Sequence, residues 1–252
     1  MNIRQTAIYN SAGKRDKNII PLKIQAKGNK SAEILIYDDI GEDYYGGIGA
    51  KSFARELNAL GDIDEIDLRI NSAGGNVFDG VAIYNTLAKH KAHVTVNIDG
   101  MALSIASIIA MAGDTINMAD NAMFMIHDPW GFAVGNAAQL REQADLMDTI
   151  KSNLVGTYAK KTGMENDKIG DLMTQETWMT ADEALAFGFI DHITDAKIEK
   201  LAAQFDPKRF KNVPQDFLKT VDDAARPNLS NRKYTMARLN KVAMQNRPGR
   251  ER

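Results

Sequence analysis

Cysteine is absent from the 252-residue chain, which removes disulfide frameworks and thiol catalysis together and fits a reducing compartment. Histidine is scarce, with four residues, so imidazole chemistry has few places to reside. His90 and His93 flank a helix-to-strand connection without companion ligands, which argues against a metal site, and His192 reads as solvated surface. The formal charge of −2 lacks the basic surplus of a nucleic-acid-binding protein. No apolar run is long enough for a bilayer, since the longest, 101–112, is short and interrupted. Residues 1–17 are polar and show no signal-peptide pattern. Neither a Walker motif nor a G-x-G-x-x-G fingerprint occurs, so no nucleotide or other cofactor is expected in this chain. What remains is the expectation of a soluble, cytoplasmic protein whose 44% hydrophobic content is enough for one substantial core.

Within that core, strand and helix patterns alternate. Residues 33–38, 65–70 and 94–98 read as strands, and 50–60, 77–90 and the stretch after Ser104 as helices. This order predicts an α/β domain with parallel pairing and helices covering the sheet. Ligands of such sheets bind beyond the carboxyl ends of the strands. Further helices are expected at 138–161, 165–172 and 181–187, with a strand at 189–193.

Three segments near those strand ends carry chemistry. The first, Gly100-Met-Ala-Leu-Ser104-Ile-Ala, places a serine at a strand-to-helix corner. Free backbone N–H groups at a helix start favour developing negative charge, so Ser104 is either a nucleophile or an ordinary N-cap. The second, Asn71-Ser-Ala-Gly-Gly75-Asn76, is a glycine pair at another strand-to-helix turn, where backbone approaches a ligand closely. In the third, Met125-Ile-His127-Asp-Pro129, an apolar strand ends on a histidine just before a proline. Nucleophile, oxyanion stabiliser and general base are the parts that these three segments supply.

In this order the segments resemble the caseinolytic, ClpP-type serine peptidases, and more closely the head-maturation (prohead) proteases of tailed phages and prophages. The resemblance spans about residues 33 to 195. It implies the ClpP/crotonase-like spiral of ββα units with a projecting long helix, the handle. It also implies peptide hydrolysis through an acyl-enzyme, with Ser104 attacking, His127 as base and then acid, and the backbone amides of Gly75 and Ile105 as oxyanion donors. The family's acid position falls on Glu176, with Asp171 and Asp182 as substitutes. Two departures stand out: Ala73 replaces a usual proline, and Asp128 sets a carboxylate beside the histidine.

The pattern at 138–161 carries an apolar stripe of Leu140, Ala144, Met147, Ile150, Leu154 and Tyr158. As the family's handle it implies a homo-oligomer, a heptameric ring or tetradecamer. The expected organisation is a polar N-terminal extension at 1–30, a peptidase domain at 31–200 and a mobile C-terminal extension at 201–252. Pro207, Pro214, Pro227 and Pro248 interrupt the last segment. Short helices are possible there at 220–225 or 234–244, before a basic end at Arg247, Arg250 and Arg252. The resulting expectation is a serine endopeptidase of phage or prophage origin that trims capsid or scaffold proteins in the host cytoplasm or prohead. The alternatives are a general cytosolic peptidase fed by an ATPase unfoldase, a crotonase-type acyl-CoA enzyme and a catalytically silent structural ring.

Overall fold

The computed structural model describes residues 22–28, 30–41, 47–195 and 205–218. In chain order they form β1 (Leu22–Ala26), β2 (Ser31–Ile36), α1 (Ala50–Ala59), β3 (Glu65–Ser72), α2 (Val77–Ala88), β4 (His93–Leu103) and α3 (Ile105–Ala110). There follow β5 (Thr115–Ala119), β6 (Met123–Ile126), α4 (Ala137–Thr162), α5 (Asn166–Thr174), β7 (Thr177–Met179), α6 (Ala181–Ala186) and β8 (His192–Thr194). A 3-10 turn at Pro207–Arg209 comes last. The expected helices are present within a residue or two of their ends. The expected strands shift more, and β1, β5 and β7 are additional to them.

The sheet runs β1-β2-β3-β4-β5-β8, with β6 and β7 branching from β4. From β2 to β8 along this path the pairs are parallel, as alternation predicted, while β1–β2 and β6–β7 are antiparallel. One face is apolar by strict alternation: Ile34 and Ile36, Ile66, Leu68 and Ile70, Val94, Val96 and Ile98, then Ile116 and Met118 are all buried. They share a core with Phe53 and Leu57 of α1, Ile83 and Leu87 of α2 and the whole of α3. The opposite face carries a polar ladder. Asn117 donates to Asn97 at 3.0 Å, Asn97 to Asp67 at 2.7 Å, and Arg69 Nε to Asp99 at 2.9 Å.

Asp99-Gly100 is a turn signal in the sequence, expected to end the strand read at 94–98. Instead β4 continues through it to Leu103 and changes partner there. Residues 95–98 pair with β5, and 101–103 pair with β6. The register against β3 shifts at the same level, between Ile70 and Ser72. Gly100 permits this because a Cβ there would lie 2.7 Å from Oδ1 of the buried Asn71. A glycine signal thus marked a bend within a strand rather than its end.

Helix α4 is bounded by a capping box of Asn136 and Gln139 and by Gly163 in the left-handed region. Its C-terminal half buries Leu154, Val155 and Tyr158, whereas Leu140 and Leu146 are exposed. The loop before it exposes Trp130, Phe132 and Val134. The stripe read as continuous therefore divides between a half packed on the domain and a half in which Leu140 and Ala144 are exposed.

The chain divides into two units at Val213/Pro214. In the first unit, β1 lies inside the segment expected to be an N-terminal extension. Residues 205–213 likewise lie inside the expected C-terminal extension, yet pack on the domain. In the second, residues 214–218 form one helical turn closed by Leu218 N–H donating to the Pro214 carbonyl at 3.1 Å. The possible helices at 220–225 and 234–244 and the basic end lie outside the described residues.

Overpacking a filled site typically costs about 1–3 kcal/mol. Gly100→Ala is therefore expected to lower Tm by several degrees in thermal denaturation, and an unchanged Tm would contradict the assigned strand bend.

Candidate active site

The partner change in β4 places Ser104 at the mouth between β4 and α3. Its N–H donates to the Met125 carbonyl at 3.0 Å, and its carbonyl accepts from Ser107 N–H at 3.0 Å. Held from both sides, Ser104 adopts φ 54° and ψ −128°, a conformation that costs a non-glycine residue about 1–3 kcal/mol. It occupies the N-cap position of α3, but its side chain makes no capping bond. Oγ instead lies 2.8 Å from His127 Nε2. Of the two sequence readings, the capping one is therefore not what the side chain does. Ser107 is committed elsewhere, its Oγ bonded to the Ser104 carbonyl and at 2.7 Å to Tyr158 OH. Burial pushes the Tyr158 phenol well above its ordinary range.

The glycine turn abuts this corner. Ile40 clamps it by donating to the Gly74 carbonyl and accepting from Asn76 N–H, both at 2.8 Å. Gly75 has φ 145°, and a Cβ on it would meet the Ile40 carbonyl oxygen at 2.1 Å, so no side chain fits. Ser72 Oγ accepts from Gly74 N–H at 3.2 Å. With the Ile40 clamp, this bond braces the turn where Ala73 replaces the expected proline. Among the described residues, the N–H groups of Gly75 and Ile105 donate to no protein acceptor.

Pairing of β6 with β7 sets the third residue. The register runs Phe124 with Met179, Met125 with Trp178 and Ile126 with Thr177, so its next step faces His127 with Glu176. Glu176 is buried, 8% exposed, not the solvated acid that a residue in this polar segment suggests. Its Oε2 lies 3.8 Å from His127 Nδ1, an ion-pair distance too long for a hydrogen bond. Oε1 accepts from Lys211 N–H at 2.6 Å, Asn212 N–H at 2.7 Å and Trp178 Nε1–H at 3.3 Å. Asp171 and Asp182 are exposed on α5 and α6.

Burial pushes the His127 imidazole below its ordinary value, against the opposing pull of the Glu176 and Asp128 carboxylates, and Arg209 adds to the lowering. The ring is therefore neutral at neutral pH and able to accept a proton. Asp128 is also occupied with other groups. Its Oδ1 pairs with Lys151 of α4 at 2.9 Å, and Oδ2 accepts from Thr174 of α5 at 3.2 Å. An apolar cleft beside Ser104 and His127 is lined by Val77, Ile105, Ile108, Pro129, Leu154 and Tyr158.

Sequence reasoning missed residues 205–212 as part of the site. The available signal was the pair Phe205 and Phe210 at the start of a tail with dispersed apolar residues. The other histidines sit elsewhere: His90 Nδ1 accepts from Ala92 N–H at 3.0 Å, and His93 and His192 are exposed. Among the described residues, no group of three or more His, Asp or Glu is placed to hold a metal ion. No described helix is long and apolar enough to cross a membrane.

Comparison with known proteins gives the family. The Clp protease family matches residues 20–197. The chain is also similar to the ATP-dependent Clp protease proteolytic subunit of Deinococcus radiodurans. The two are 33% identical over 190 residues, covering 71% of this chain and 93% of the relative. A serine and a histidine in hydrogen-bond contact on a parallel α/β sheet, and a match across most of the sheet-bearing residues, lead to one conclusion: the chain belongs to the Clp protease family.

Proposed function

We propose that this chain is a serine endopeptidase in which Ser104 is the nucleophile, His127 the general base and acid, and Glu176 the residue that orients the imidazole. The observation that carries the reading is the 2.8 Å contact between Ser104 Oγ and His127 Nε2, made by a serine that caps nothing. As Oγ attacks a peptide carbonyl carbon, Nε2 takes its proton, and the carbonyl oxygen becomes an anion. The free amides of Gly75 and Ile105 receive that charge. His127 then returns the proton to the departing amine, leaving an acyl group on Ser104 that water removes by the reverse sequence. Glu176, behind Nδ1, stabilises the imidazolium that exists mainly in these transition states.

The protein works as an assembly of copies of itself, a heptameric ring or a double ring of fourteen. The exposed half of α4 and the exposed Trp130, Phe132 and Val134 support this, because an apolar stretch of that extent on one chain calls for a second surface. Polypeptides are the substrate. Capsid or scaffold proteins during head maturation are the substrates that the sequence motifs favour. Service to an ATPase unfoldase is the second reading, favoured by the printed name of the Deinococcus radiodurans relative. The neighbouring genes separate the two: portal and major capsid genes beside this one support head maturation, and their absence overturns it.

Ser104→Ala and His127→Ala are each expected to abolish peptide hydrolysis and fluorophosphonate labelling while leaving the fold intact by circular dichroism. Comparable activity in a clean Ser104→Ala preparation would remove the proposed nucleophile. The acidic limb of kcat/KM against pH should lie below about 6.5, the ordinary imidazole value, because burial lowers His127. Glu176→Gln removes a carboxylate that favours the imidazolium. It should therefore move that limb lower still and reduce kcat by about a hundredfold or more, whereas Asp182→Asn leaves both unchanged. The reverse ranking would transfer the acid to Asp182. Leu140→Glu is expected to shift sedimentation toward smaller species, and a wild type that sediments as an active monomer would refute the ring.

A further inference from the structure

The carboxylate of Glu176 has two oxygens, and only one faces His127. The other is held by a segment that approaches from far along the chain, beyond the residues 20–197 that match the family. We propose that residues 205–212 form a positioning strap that holds acid, base and oxyanion turn in register, so that catalysis by this chain depends on a segment outside its family core. The proposal rests on the triad reading above.

Three sets of contacts support it. Successive amides of Lys211 and Asn212 donate to Glu176 Oε1 at 2.6 and 2.7 Å, and Asn212 Nδ2 donates to the neighbouring Gln175 carbonyl at 2.8 Å. Without them Oε1 keeps only the 3.3 Å bond from Trp178, and little would stop the carboxylate from rotating Oε2 away from the imidazole. Phe210 covers the site from behind. Its ring centroid lies 6.0 Å from that of His127 and 5.4 Å from that of Trp178, and Phe205 stacks on it at 5.6 Å and 6°. This aromatic cover helps to keep water from the His127 and Glu176 pair, which are 10% and 8% exposed. Arg209, finally, donates from one nitrogen to both Asp39 oxygens, at 2.9 and 3.1 Å. Asp39 is joined in sequence to Ile40, the residue that clamps Gly74 and Asn76.

Glu176, His127 and the Gly75 turn therefore each have their own strap residue. Glu176 is held through backbone N–H groups, His127 is covered by an aromatic face, and the oxyanion turn is tied through an ion pair. The charged groups that bear on His127 are Glu176 on the β7 side, Asp128 in its own loop and Arg209 on the strap. Only Arg209 opposes the imidazolium, so its removal has a defined sign.

The test uses the full-length protein with a fluorogenic peptide, fluorophosphonate labelling of Ser104 and thermal denaturation. Lys211→Pro deletes one amide donor to Glu176, and Asn212→Pro deletes the other together with the side-chain bond to the Gln175 carbonyl. Each is expected to lower kcat by about tenfold, the size of one hydrogen bond to a charged group, with KM within about twofold of wild type. Lys211→Pro should lose far more than Lys211→Ala, which keeps the N–H. Arg209→Gln should move the acidic limb of kcat/KM to higher pH, because a cation facing His127 is gone while both carboxylates remain. Should a proline variant fail to fold, the Arg209→Gln limb decides. Folded proline variants with wild-type kcat, or an unmoved limb in Arg209→Gln, would overturn the strap. Failure of the triad looks different: Ser104 in the wild type would then take no label.

Discussion

Everything at the site depends on β4 changing partners halfway along its length. A strand that paired with β5 throughout would finish in the plane of the main sheet. By leaving β5 after Ile98 and joining β6 at Met101, β4 opens a branch to which β6 and then β7 attach. Ser104 follows β4, His127 follows β6 and Glu176 precedes β7, so the three residues flank the termini of strands hydrogen-bonded in succession. Their spacing is fixed by backbone pairing rather than by flexible loops, which suits groups that must meet within tenths of an ångström. At the bend, Gly100 leaves room for the side chain of the buried Asn71.

Backbone strain and electrostatics act on this frame together. Ser104 is held at positive φ by the Met125 carbonyl and the first turn of α3, and that conformation turns Oγ away from the amides it would otherwise cap. The Ile105 amide at the start of α3 has no acceptor among the described residues. Glu176 also sits at positive φ, 51°, between the end of α5 and β7, so the proposed nucleophile and acid are both kept in conformations that an isolated chain would leave. Burial of His127 favours the neutral ring, and the carboxylate of Glu176 resists that effect without reversing it. In the proposed mechanism the imidazole is thus a ready base in the resting state and is stabilised as an acid once charged.

Asp128 extends these constraints outward. Its carboxylate joins Lys151 of α4 to Thr174 of α5, while its own N–H donates to the Met173 carbonyl at 3.2 Å. The packed half of α4 is therefore tied to the loop that carries His127. Assembly through the exposed half would bear on the same helix, which gives a physical route by which association and catalysis influence one another.

How much of this was legible in the sequence varied with the range of the interaction. Strands β2 and β3 and helices α1, α2 and α4 followed from local periodicity and caps, because burial of one face imposes its own period. Ser104, His127 and the diglycine turn stood out because their residue types sit beside chain-direction signals, and Glu176 was preferred only through family resemblance. Local pattern did not disclose that Asp99-Gly100 bends a strand instead of ending it, since the outcome depends on Asn71, nearly thirty residues earlier. Nor did it separate Glu176 from Asp171 and Asp182, because acids in polar surroundings look alike until strand register buries one of them. Residues 205–212 were read as a loose tail for the same reason: their amides gain a partner only when Glu176 is already in place. The sequence by itself determined the elements and the chemical groups on offer. Tertiary structure alone decided which groups meet, because pairing register, burial and long-range hydrogen bonds arise only when distant parts of the chain come together.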